Sequence, residues 1–76
     1  MADPKDIAHA VNIARILIER QRGGSWQQHG RVGHRVPGLV GADMIDRCAV
    51  KAIEAIDGDM KELHAPVVRE LARRYS

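Results

Sequence analysis

Residues 3–24 read DPKDIAHAVNIARILIERQRGG, and this stretch decides the fold. Asp3 is a helix-capping residue type, and Pro4 suits a first helical position, where a missing N–H loses no bond. Asp6 stands three residues beyond Asp3, at capping-box spacing. Ile7, Ala10, Val11, Ile13, Ala14, Leu17 and Ile18 then share one arc of a helical wheel, with His9, Asn12, Arg15 and Glu19 opposite. Ile16 is the exception to the pattern. The spacing predicts an amphipathic helix over residues 4–22. Gly23–Gly24 predicts its end, with Arg20 and Arg22 placed to meet the negative pole of the helix dipole.

Downstream the pattern changes. Six of the seven glycines lie in residues 23–41, together with Pro37, and no helical period survives there. This predicts a long Gly/Arg-rich loop between helices one and two, with Arg31 to Val36 as an extended piece before a turn at Pro37–Gly38. A loop of this length in a small domain is uncommon and points to function.

Helical spacing returns near residue 42 and holds to 57. Met44, Ile45, Cys48, Ala49, Ala52, Ile53, Ala55 and Ile56 form one face, and Gly58 is the expected left-handed stop. Asp59 and Glu62 repeat the capping-box spacing, and Met60, Leu63, Val67 and Leu71 define a last apolar stripe. Pro66 falls inside that stripe. It either kinks one helix or divides it into a turn and a helix from Pro66 to Arg74. The expected fold is therefore all-α, one domain over residues 1–76, with three helices or four.

Length and charge limit what such a chain does. A chain of 76 residues buries only about 60% of its unfolded surface, so a homodimer or another partner would add useful burial. The net charge of +2 is small, but it is not evenly spread. Residues 23–41 hold two arginines and no acid, and from Arg20 to Ala42 no acidic residue occurs at all. No apolar run is long enough to span a bilayer, and no basic and apolar leader opens the chain. The lone Cys48 excludes an internal disulfide and fits a reducing, cytoplasmic setting.

The acid-free stretch supplies the candidate binding residues Arg20, Arg22, Trp26, Gln28, Arg31 and Arg35. Arginine clamps phosphate or carboxylate with paired bonds, tryptophan stacks or anchors in a pocket, and glutamine reaches polar edges. A protein–protein contact, by an inhibitor or an assembly subunit, is the first expectation. A nucleic-acid regulator is the alternative, and a structural helical module with a spacer loop is the third.

Chemistry is not expected. His29 and His34 have acceptable zinc spacing, but Cys48 and His64 do not complete a tight four-ligand set, so neither metal nor cofactor is expected. Cys48 lies mid-helix on an apolar arc, not where a thiolate is stabilised. No nucleophile elbow, phosphate loop or H-E-x-x-H pair occurs, so the chain reads as non-enzymatic.

Overall fold

The computed structural model describes residues 2–28 and 40–75, with side chains described over 2–21 and 40–75. Among these residues the chain is all-α, with α1 at Pro4–Gln28, α2 at Ala42–Ala55 and α3 at Met60–Tyr75. Each helix packs on the other two. Of the expected loop over 23–41, residues 29–39 lie outside the described residues, as does the extended piece at Arg31 to Val36.

The start of α1 follows its sequence signal. The Asp3 carboxylate accepts from the Lys5 N–H at 2.9 Å, and the Asp3 carbonyl accepts from the Ile7 N–H at 3.0 Å. Its end does not follow. The helix runs through Gly23–Gly24 to Gln28, where the sequence predicted a stop. Each glycine costs about 1 kcal/mol against alanine in a helix interior, but it keeps its N–H and can extend the hydrogen-bond ladder. Arg20 and Arg22 are consequently more than a turn short of the helix end, and the last turn holds no basic residue.

The connection between α2 and α3 is a tight reversal. Ile56 caps α2, Asp57 takes a left-handed φ of 56°, and no described glycine has positive φ. The Gly58 N–H reaches the Ile53 carbonyl at 2.9 Å and the Asp57 N–H reaches the Glu54 carbonyl at 3.1 Å. These two bonds form a Schellman ending with Asp57, not Gly58, in the left-handed position. Asp is among the few residues with a side chain that visit this region readily.

Gly58 has a different duty. A Cβ there would collide with the Leu63 Cδ1 and lie 3.3 Å from the Ile53 Cγ2. The next residue restarts a helix at once. The Asp59 carboxylate accepts from the Lys61 N–H at 3.0 Å, and its carbonyl from the Leu63 N–H at 2.9 Å. Pro66 leaves α3 a single helix. Leu63, Val67 and Leu71 all lie in the core, and only a helix that keeps its phase through Pro66 can place all three there. Their burial offsets a proline cost of about 3 kcal/mol.

The core combines Ala10, Val11, Ala14 and Ile18 of α1 with Ile45, Cys48, Ala49, Ala52 and Ile53 of α2 and the three α3 residues. Ala10, Ala14, Ala49 and Ala52 are fully buried, so small side chains lie at the helix contacts while Ile18, Ile53 and Leu71 fill the volume. No polar side chain is buried among the described residues. Ile16 is the exposed large apolar residue, at 55%.

Candidate functional site

The sequence-predicted binding residues divide into three groups. Arg20 is exposed on α1. Arg22, Trp26 and Gln28 belong to the helical backbone of α1, where no side chains are described, and Arg31 and Arg35 lie outside the described residues. His29 and His34 lie outside them as well. Of this set, Arg20 alone lies where side chains are described.

The remaining chemical candidates have ordinary partners. Cys48 is buried as a free thiol, and burial pushes it above its ordinary value, against the lowering influence of Arg47 and Lys51. Its contact with the amide of Gln21 is long, at 3.9 Å. His64 pairs with Asp46: its Nε2 lies 2.7 Å from the Asp46 Oδ1, joining α3 to α2 at the surface. Among the described residues no three of His, Cys, Asp and Glu gather where they could hold a metal. No helix among them is long and apolar enough to cross a membrane.

A second link fastens the end of α3 to α1. The Tyr75 hydroxyl donates to the Glu19 carboxylate at 2.9 Å. Burial raises the tyrosine above its ordinary value, and the bond to Glu19 and that carboxylate's charge raise it further. Arg15 bonds the same hydroxyl and works in the opposite direction.

Beside this link an open groove of about 480 Å³ runs between the first half of α1 and the last turns of α3. Pro4, Ile7, Ala8 and Val11 give it an apolar side. Asn12 and Arg15 continue α1 into polar residues, and Glu70 and Arg74 form the α3 edge. The sequence reading missed this feature. Its signal was the stripe Pro4–Ile7–Ala8–Val11, which makes the apolar face of α1 wider than the core requires. The charged edge follows from α3 itself, where Glu70 and Arg74 stand beside the buried Leu71.

A scan against protein-family models gives no match for this chain, and neither do searches of curated proteins and of solved structures.

Proposed function

We propose that this protein is a structural helical module that acts without bond chemistry, with the 29–39 segment as the spacer between α1 and α2. The observation that supports this reading is the way the apolar residues are used. All three helices contribute apolar side chains to one core, with no polar side chain buried among the described residues. The one described thiol is part of that core and is disfavoured as a thiolate. A reducing, cytoplasmic setting suits this free thiol.

The test exchanges residues 29–39 for a glycine–serine linker of equal length. The expected result is an unchanged helix signal and a thermal midpoint within a few degrees of the parent. Loss of the cooperative transition would show that the segment is part of the fold and would sink the spacer reading.

A second reading has its own support in the acid-free run from Arg20 to Ala42, which begins at an exposed arginine on α1. Here residues 20–35 contact a macromolecule, foremost another protein, with Trp26 as anchor and self-association as one form of the contact. Capture from a native lysate, with and without nuclease, separates the readings. A partner kept by the parent and lost by an equally folded linker variant favours this one. Nuclease sensitivity, with binding that weakens steeply as salt rises, would make the partner a nucleic acid.

A further inference from the structure

We propose that the groove between α1 and α3 is a docking site for an acidic amphipathic helix of a partner protein. Its described lining comes from α1 and α3, and the inference goes beyond the module reading without depending on the spacer.

Shape is the first argument. The stretch Pro4 to Arg15 covers about 16 Å of helix axis at 1.5 Å per residue, which equals three turns of a docked helix. A volume of about 480 Å³ is enough to accept several side chains, and the groove is not an enclosed cavity. An apolar stripe facing an open trough is the geometry in which a helix lays down its apolar face.

Charge selects the kind of helix. Among the described lining residues, the positive Arg15 and Arg74 outnumber the negative Glu70 by one charge. The Glu70 carboxylate also lies 3.8 Å from the guanidinium of Arg73, which is outside the lining, so part of its charge is already answered. Arg15 is exposed where it lines the groove, so its guanidinium can meet a carboxylate there. Apolar residues of the partner at helical spacing would meet Ile7, Ala8 and Val11, with its Asp or Glu residues at Arg15 and Arg74.

The probe is a displayed library of helical peptides about three turns long, with apolar and flanking positions varied, selected against the full chain. The expected winners carry apolar residues at three- and four-residue spacing with acidic neighbours. They shift the amide signals of Ile7, Ala8, Val11 and Arg15. Arg74→Glu, whose thermal midpoint should match the parent, weakens them roughly five- to tenfold, as does exchange of the peptide acids for lysine. Ala8→Glu serves as a second blocking variant that leaves the arginines intact. The proposal is overturned if no peptide is enriched, if winners lack acids or bind Arg74→Glu equally well, or if the shifts fall elsewhere. A concentration-dependent dimer abolished by Arg74→Glu would also overturn it, by placing a second copy in the groove.

Discussion

Glycines occur at two points where a helix is expected to stop, Gly23–Gly24 and Gly58, and only one of them lies at a stop. The difference lies in what surrounds each. At Gly58 the chain has a specific place to go. Asp57 turns it, two backbone bonds close the end of α2, and Asp59 opens α3 one residue later. At Gly23–Gly24 no comparable cap interrupts the backbone, and α1 continues for four more residues. A glycine therefore permits a helix to end, while caps and packing on the far side make it end.

The largest effects should come from the Gly58 side. Leu63 is almost completely buried and presses on the space where a side chain at 58 would be. Leu63→Ala removes that side chain and should cost about 2–5 kcal/mol in chemical denaturation, depending on how far the core relaxes. Gly58→Ala should cost about 1–3 kcal/mol, and the cause is steric, since Gly58 does not have positive φ. The two changes should not add. With Leu63 already truncated, Gly58→Ala should become nearly neutral, because its collision partner has gone. A full cost persisting in the double variant would locate the role of Gly58 in the backbone instead.

The glycine pair predicts the opposite sign. Gly23→Ala and Gly24→Ala together should stabilise α1 by about 1–2 kcal/mol and strengthen the helical circular-dichroism signal. Were either glycine a left-handed cap, the same change would destabilise, since alanine is strained at positive φ. The experiment thus compares the continuous helix directly with the stop expected at residue 22.

The Asp57 position divides the two cases more finely. Its left-handed φ of 56° is tolerated by aspartate but is free of strain for glycine. Asp57→Gly should raise stability by about 0.5–1 kcal/mol, less than strain relief alone, because glycine also gains freedom when unfolded. A loss of stability would mean that the aspartate side chain contributes more than its backbone geometry costs.

These regions also show why parts of the molecule were legible in sequence and others not. The Asp3 and Asp59 caps were legible because such a cap is local: a carboxylate bonds an N–H two residues away. The stripe Leu63–Val67–Leu71 was legible as period, yet Pro66 left one helix or two open, since the outcome depended on burial that only the neighbouring helices provide. The stop at Asp57 was displaced by one residue because glycine suits both a left-handed turn and a close approach, and sequence does not distinguish these needs. The Asp46–His64 contact depends on the register of the α2–α3 pair, and the α1–α3 groove on how two distant segments face each other. Of the expected binding set, Arg20 is on an exposed helical surface, whereas the extended reading of Arg31 to Val36 concerns residues outside those described.

The smallest effect is at the start of α2, the one helix without a side-chain cap. Gly41 occupies the N-cap with φ −77° and ψ 162°, an extended conformation open to any residue, and makes no side-chain cap bond. Nothing lies within 4 Å of where its Cβ would be. A serine there needs no backbone change and can accept an N–H from the first turn of α2, so Gly41→Ser should stabilise by a few tenths of a kcal/mol. In a chain of this size that corresponds to about 1–3 °C in the thermal midpoint. Serine is preferable to aspartate because Asp43 already places a carboxylate in the first turn of α2. A lowered midpoint would show that glycine at 41 is required by the chain leading into α2, making it a counterpart of Gly58 and not of Gly23–Gly24.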